Sequence, residues 1–192
     1  LILTENGGEL VFMFRGEITE FQFYQNRKAE KLIMMPFCQE DLEMHGHNFF
    51  ELAYITGGTA EHTLENEGKT ISAGDYFFVD YGCLHGFQNC KNLTLINCLF
   101  LPETVDETLQ GCRSFSQLLQ GCLLKYYRMS LGQAKFARVF HDRDGQVGQL
   151  MQEMLLEYQE QKVGCYPLLR FKLLEILLLT LRGLIEPENE RP

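Results

Sequence analysis

The chain has 192 residues, of which 45% are apolar, and it carries a formal net charge of −9 at pH 7. This length suits one large domain or a domain with an appendage, and the apolar share supports a packed core and excludes wholesale disorder. Acidic side chains outnumber Lys and Arg by 26 to 17, which argues against nucleic-acid binding by these residues, because phosphate contacts need clustered basic side chains.

Residues 1–103 are predicted to form an antiparallel β-barrel. Short β-rich runs alternate with turns, such as Asn66-Glu67-Gly68 and Ser72-Ala73-Gly74-Asp75. The candidate strands are residues 9–14, 18–24, 31–36, 49–56, 60–65, 69–72, 76–80 and 92–101. Short strands joined by turns this close favour a closed barrel or jelly roll over a βαβ fold.

Residues 104–186 are predicted to be helical. A weak helical pattern at 115–127 is followed by an apolar stripe from Val147 to Tyr158, at the spacing of one helix face. The last helix, residues 168–185, is apolar on nearly all sides, so a second copy of the chain is expected to cover part of it. The predicted dimer interface is Leu173, Leu174, Leu177, Leu178 and Leu181. The alternative is an unusually apolar helix buried within its own chain. Residues 187–192 are predicted to begin a linker.

Three histidines and one glutamate in the strand-rich half form a candidate metal site. His45 and His47 point to the same side of a strand, because side chains alternate along it. In a fully extended chain the Cα of Glu51 would lie about 13 Å beyond His47, so the chain is predicted to bend at Asn48-Phe49. His85 follows a later turn and is expected to arrive from a neighbouring strand.

These four side chains suit a divalent transition metal and leave one or two coordination positions open. An open position is what a catalytic or ligand-sensing site needs. The ligand set does not choose among zinc, nickel, manganese, iron and copper. The alternative is a buried network without an ion, in which imidazole N–H groups donate to the carboxylate. His62 and His141 lie outside the pattern and are predicted to be ordinary surface or loop residues.

Two runs of the chain resemble the paired motifs of the cupin family. The matching positions are His45, His47, Glu51 and Gly58 in the first motif, and Gly74, Gly82, His85 and Asn89 in the second. Gln39 stands where the leading Gly of the first motif belongs, and Asp80 replaces the Pro of the second. The resemblance implies a mainly β fold with α: an antiparallel cupin or jelly-roll barrel followed by a helical dimerisation segment.

The wider arrangement resembles the N-terminal sensor domain of AraC-type transcription regulators. Residues 45–58 are similar to the run HxHxxxELxYxxxG of that family, and a Gly-Asp turn and a His follow in the same order. Phe100-Leu101-Pro102 matches the end of the family's last strand. The helical tail is also similar, so the resemblance covers roughly residues 40–185.

This resemblance implies a division of labour. The barrel would bind a small-molecule effector near the histidines, with Phe14, Phe49 and Tyr54 as lining residues and residues 1–8 folded over it as an arm. The Leu-rich helix would pair two subunits into a homodimer. DNA would be contacted only by a separate C-terminal helix-turn-helix part, which is not expected within these residues.

The competing hypothesis is a metal-dependent single-domain cupin enzyme, such as a dioxygenase or a sugar-phosphate isomerase. It would use the same four side chains. The apolar helix followed by a polar tail favours the regulator, for which no catalytic residue is expected.

The cysteines indicate the compartment. There are seven, an odd number, and no two follow the spacing CxxC. This argues against a disulfide framework and favours a reducing, cytoplasmic location. The most apolar run, residues 173–185, is too short to cross a bilayer and contains charged side chains, so no membrane partner is expected.

Overall fold

The computed structural model describes residues 3–5, 8–10, 18–19, 32–123 and 139–185. The strands are β1 (Leu3–Glu5), β2 (Gly8–Leu10), β3 (Ile18–Thr19), β4 (Leu32–Gln39), β5 (Leu42–His47), β6 (Phe50–Leu64), β7 (Glu67–Ser72), β8 (Asp75–Val79), β9 (His85–Phe100) and β10 (Val139–His141). The helices are α1 (Phe115–Cys122), α2 (Gln146–Glu160) and α3 (Cys165–Ile185), and two short 3-10 turns cover Pro102–Thr104 and Glu107–Leu109.

The sheet is built around the two longest strands, β6 and β9, which pair with each other from Phe50↔Phe100 to Leu64↔His85. Eight described strands belong to it, in the order β10-β8-β6-β9-β5-β3, with β4 added to β9 and β7 added to β6. The pairs are antiparallel except for the short parallel pair β3–β5. The prediction of a mainly β, antiparallel cupin or jelly-roll barrel followed by helices is confirmed.

Strand boundaries differ from the prediction where the sheet is bulged. The predicted strands 49–56 and 60–65 are parts of one strand, β6 (Phe50–Leu64), although Gly57-Gly58 is typical of a turn. Gly58 has φ of 75° and lies at a shift of register, where an added Cβ would be 2.2 Å from the Asn92 carbonyl oxygen. β9 likewise begins at His85, well before the predicted residue 92. β5 is missing from the list of candidate strands, although His45 and His47 were predicted to lie on a strand. Most of the predicted strands 9–14 and 18–24 lies outside the described residues.

The two faces of the sheet contribute to two separate cores. One core is enclosed by the strands and contains Ala53, Ile55, Ala60, Leu64, Ile71, Phe77, Val79, Phe87, Leu93 and Leu95. The other joins the outer face of the sheet to the helices, with Phe50, Leu52, Tyr54, Phe78, Cys98 and Phe100 packed against Phe115, Met151, Met154, Leu169 and Leu173. Alternate side chains of β6 therefore enter different cores.

Helix α3 buries most of the leucines that were predicted to meet a second subunit. Leu173, Leu177 and Leu181 are only 0%, 1% and 3% exposed within their own chain. For these three residues the structure supports the alternative, a helix buried in its own core. Leu174 and Leu178 are only partly buried. No helix among the described residues is both long and apolar enough to span a membrane.

The predicted helical segment also contains a short strand that returns to the sheet. β10 pairs with β8, and Asp142 directly after it accepts hydrogen bonds from the Gly148 amide at 2.8 Å and the Tyr54 hydroxyl at 3.2 Å. Helix α2 is therefore fixed at its first turn to a side chain of β6. The ion pair between Lys172 and Glu153 then connects α3 to α2.

Candidate metal centre

His47, Glu51 and His85 converge inside the domain. β5 ends at His47 and the chain bends over the next two residues, so that Glu51 near the start of β6 turns back towards His47, as predicted. His85 opens β9, which lies between β5 and β6. The Nε2 atoms of His47 and His85 lie 3.3 Å and 3.9 Å from Oε2 of Glu51. One ligand atom from each of the three residues lies within 4.8 Å of the other two.

The hydrogen bonds of His47 determine which of its nitrogens is free. Its Nδ1 lies 2.9 Å from the Phe49 carbonyl oxygen, which can only accept, so Nδ1 carries the proton and Nε2 presents a lone pair. The Nε2 atoms of His47 and His85 are buried and make no hydrogen bond. Both nitrogens face the carboxylate of Glu51, which is an acceptor. A divalent cation would satisfy all three groups, so these residues fit a metal.

Burial favours the neutral form of two histidines here, His85 and His45. The pKa of His85 is held well below its ordinary value of 6.5, chiefly by burial and further by His45, His47 and His62. Burial also lowers the pKa of His45. A neutral imidazole is the form that binds a metal, because the ligand nitrogen must be deprotonated.

His45 lies beside the three converging residues. It is buried, pairs with His85 in the sheet, and its ring centroid is 4.3 Å from that of His85. Its Nδ1 lies 3.0 Å from the Glu43 carbonyl oxygen, so Nε2 is again the atom with a lone pair. His45 is not in the group of three whose ligand atoms lie within 4.8 Å of one another. The structure thus brings three of the four predicted ligands close together. The fourth, His45, lies beside them, next to the ring of His85.

His62 was predicted to be an ordinary surface or loop residue, and this prediction is wrong. It is 1% exposed, lies near the end of β6, and its Nε2 is 3.5 Å from Nδ1 of His85. Its ring stacks on that of Phe77 at 4.0 Å, and burial lowers its pKa to about 4. The alternation of Ala60, His62 and Leu64 with polar neighbours could have revealed an inward-facing histidine. His141 is 57% exposed and pairs with Asp75, as a surface residue can.

The predicted effector residues are separated by the fold. Phe49 is buried and its ring stacks on that of His47, with centroids 4.1 Å apart. Tyr54 is on the opposite face of β6 from Glu51, in the core shared with the helices, and it is therefore left out of the candidate site. Phe14 lies outside the described residues.

Fold and site together define a cupin-type ligand-binding domain. Residues 36–165, well over half of the chain, match the family of AraC-like ligand binding domains. The chain belongs to this family.

Curated relatives of this chain include transcriptional activators. It is 29% identical over 67 residues to the HTH-type transcriptional activator RhaR of Yersinia pseudotuberculosis serotype O:1b, a match covering 35% of this chain and 23% of RhaR. It is also 29% identical over 89 residues to the HTH-type transcriptional activator RhaS of Citrobacter koseri, covering 46% of this chain and 32% of RhaS. The chain thus matches about a quarter to a third of the length of these relatives.

Solved structures similar to parts of this chain include a cupin. An RmlC-like cupin from Shewanella frigidimarina has 23% identity and a TM-score of 0.34 over 36% of this chain and 66% of that one. KdgF from Halomonas has the same identity and TM-score over 36% of this chain and 69% of that one.

Proposed function

We propose that this domain senses a small-molecule effector for a transcription regulator, and that a divalent transition metal held by His47, Glu51 and His85 helps to bind the effector. The observation that supports the metal is the convergence of two imidazole Nε2 atoms on a carboxylate oxygen, with both nitrogens buried and without a hydrogen-bond partner. Family membership supports the ligand-binding role. Zinc, nickel, manganese, iron and copper remain alternatives, because the ligand set suits all of them.

The three side chains would leave coordination positions open to the effector. When bound, the ion would supply a Lewis acid that accepts an oxygen or nitrogen donor of the effector. Phe49 would hold the His47 ring in place by stacking and form an apolar wall beside it. His45 would contact the effector or complete the metal site, and its ring, next to that of His85, supports this role.

Metal binding is tested on protein purified without a His tag. Elemental analysis after dialysis against each metal is expected to find about one ion per chain, retained through a buffer exchange. His47→Ala removes a ligand and is expected to weaken binding by more than the roughly 10–100-fold typical of losing a supporting residue. The matched control is His141→Ala, which removes an exposed histidine outside the site.

Two results would oppose the metal. Wild-type protein that takes up none of the five metals would show that the three residues do not form a metal site. Equal affinity in wild type and His47→Ala would place the ion elsewhere. If the metal serves the effector, small sugars and amino-acid derivatives should be screened by thermal shift with and without metal, and a hit is expected to need both the ion and His47.

We further propose that the domain forms a homodimer through the outward face of α3. Phe171 is 62% exposed, and Leu174 and Leu178 lie at the i+3 and i+7 positions from it, on the same face. Sedimentation of wild type and Phe171→Glu tests this: the variant is expected to be monomeric at concentrations where wild type is dimeric. Leu156→Glu is the matched control, because it places the same charge at a similarly exposed apolar residue (60%) on α2, outside this face.

DNA contact and location follow from the regulator proposal. A helix-turn-helix part outside these residues would bind DNA, as the names of the RhaR and RhaS relatives suggest, and the protein would then act in the cytoplasm. The competing enzyme would use the same three ligands for turnover. Family membership favours the sensor, and an effector that binds without being converted in the presence of metal would support it.

A further inference from the structure

His62 occupies a position where an apolar side chain would be expected. It lies between Ala60 and Leu64 on the inward side of β6, and its neighbours include the rings of Phe77 at 4.0 Å and Phe87 at 4.8 Å. Placing an imidazole in such surroundings is costly unless it forms a hydrogen bond. Among the described residues its only hydrogen-bond partner is His85, whose Nδ1 lies 3.5 Å from the Nε2 of His62.

The hydrogen bond between these two rings contains a single proton, which one nitrogen carries and the other accepts. Each ring is buried and neutral, and a neutral imidazole has one N–H and one lone pair. If Nε2 of His85 presents its lone pair towards Glu51, then Nδ1 of His85 must carry the proton. Nε2 of His62 must in turn accept it, and the proton of His62 lies on its buried Nδ1. If instead His62 carries its proton on Nε2, His85 carries its own on Nε2 and cannot bind a metal there.

We propose that His62 is a positioning residue: it accepts the Nδ1 proton of His85 and so holds that ring with its Nε2 lone pair directed at the carboxylate of Glu51. The aromatic neighbours of His62 fix the plane of its ring, and the nearly perpendicular arrangement of the two imidazoles, at 78°, points an edge of one at the other. Metal-bound histidines are commonly oriented in this way through their second nitrogen. As regards metal affinity the proposal rests on the function proposed above, whereas the tautomer of His85 is a property of the metal-free protein.

Two variants separate the hydrogen bond from packing. His62→Leu removes the acceptor and keeps an apolar side chain of moderate size, whereas His62→Gln retains an acceptor oxygen. Phe77→Leu disturbs the stacking partner and leaves the acceptor, so it controls for loosened packing. Long-range ¹H–¹⁵N correlation NMR of metal-free protein at neutral pH assigns the tautomer of each histidine.

The expected result has two parts. In wild type and Phe77→Leu, His85 carries its proton on Nδ1, and in His62→Leu it shifts towards the Nε2–H tautomer. By competition with a chelator, His62→Leu is expected to bind zinc roughly 10–100-fold more weakly than wild type, and His62→Gln is expected to recover part of the loss.

Several outcomes would overturn the proposal. An Nε2–H tautomer of His85 in metal-free wild type would do so, as would an unchanged tautomer in folded His62→Leu. If that variant does not fold, His62→Gln with wild-type zinc affinity and a changed tautomer would also contradict it. Wild type that binds no metal would refute the metal function instead, and the tautomer measurement would still decide the role of His62.

Discussion

Asp80 is a half-buried carboxylate whose charge is expected to destabilise the fold at neutral pH. It follows β8 at the position where the cupin motif has a proline, and its Oδ1 accepts a hydrogen bond from the Phe115 amide at 2.8 Å. Burial raises the pKa of Asp80 from its ordinary value of 3.8 to about 6, although the Phe115 hydrogen bond acts in the opposite direction. Substituting Asn retains the acceptor oxygen and removes the charge.

The pH dependence follows from the direction of this shift. Because the folded protein holds the proton of Asp80 more tightly than the unfolded chain does, stability from this group is fully present below about pH 4 and is lost as pH rises through about 6. The difference between 3.8 and about 6 corresponds to at most about 3 kcal/mol. Asp80→Asn is therefore expected to raise the free energy of unfolding by about 1–3 kcal/mol at pH 7 and to change it little at pH 4.

Urea denaturation at both pH values measures this effect. Asp80→Ala is the control, because it removes the charge and also leaves the Phe115 amide without its partner, so its gain at pH 7 should be smaller than that of Asp80→Asn. A stability difference between wild type and Asp80→Asn that is the same at pH 4 and pH 7 would refute the reasoning. So would a variant that is less stable than wild type at pH 7.

Two further predictions concern the fold. Gly58→Ala is expected to cost several times the roughly 1 kcal/mol of Gly145→Ala, because both glycines have positive φ but only at Gly58 would the new Cβ meet backbone, 2.2 Å from the Asn92 carbonyl oxygen. Urea denaturation compares them, and equal costs would contradict the bulge described here. Leu173→Ala is expected to lower the free energy of unfolding by about 2–5 kcal/mol, whereas Phe171→Ala should mainly weaken self-association in sedimentation experiments. If Phe171→Ala lowers the stability and Leu173→Ala weakens self-association, Phe171 faces the core and Leu173 faces outward, contrary to the structure.

The convergence of three ligands could be predicted from sequence because spacing and chain geometry constrain it. Two histidines of one parity and a glutamate too far along an extended strand require a bend, and the structure has that bend directly after His47. The pairing of His85 with β5 and β6 adds the third side chain. The fourth predicted ligand, His45, lies on the same strand and the same side as His47. Its distance from Glu51 depends on the curvature of the sheet, which cannot be predicted from the spacing of residues in the sequence.

The faces of β6 and α3 could not be predicted for one shared reason: each is apolar on more than one side. β6 is buried on both faces at its start, so Phe50, Leu52 and Tyr54 do not stand out from Ala53 and Ile55 by hydrophobicity. Sequence therefore gave no basis for placing Tyr54 among the helices. In α3 the leucines facing the core and those facing outward are chemically the same, and only the packing separates them.

The alternation along β6 matters to anyone who wishes to retarget such a sensor. Glu51 and Ala53 lie on the face of β6 that is enclosed by the strands. Phe50 and Leu52, each one residue away, lie on the other face and pack against the helices. A library meant to change the recognised compound should randomise inward positions and hold outward ones constant. Screening hits at Phe50 or Leu52 would reflect altered helix docking rather than new specificity, even though they neighbour the site in sequence.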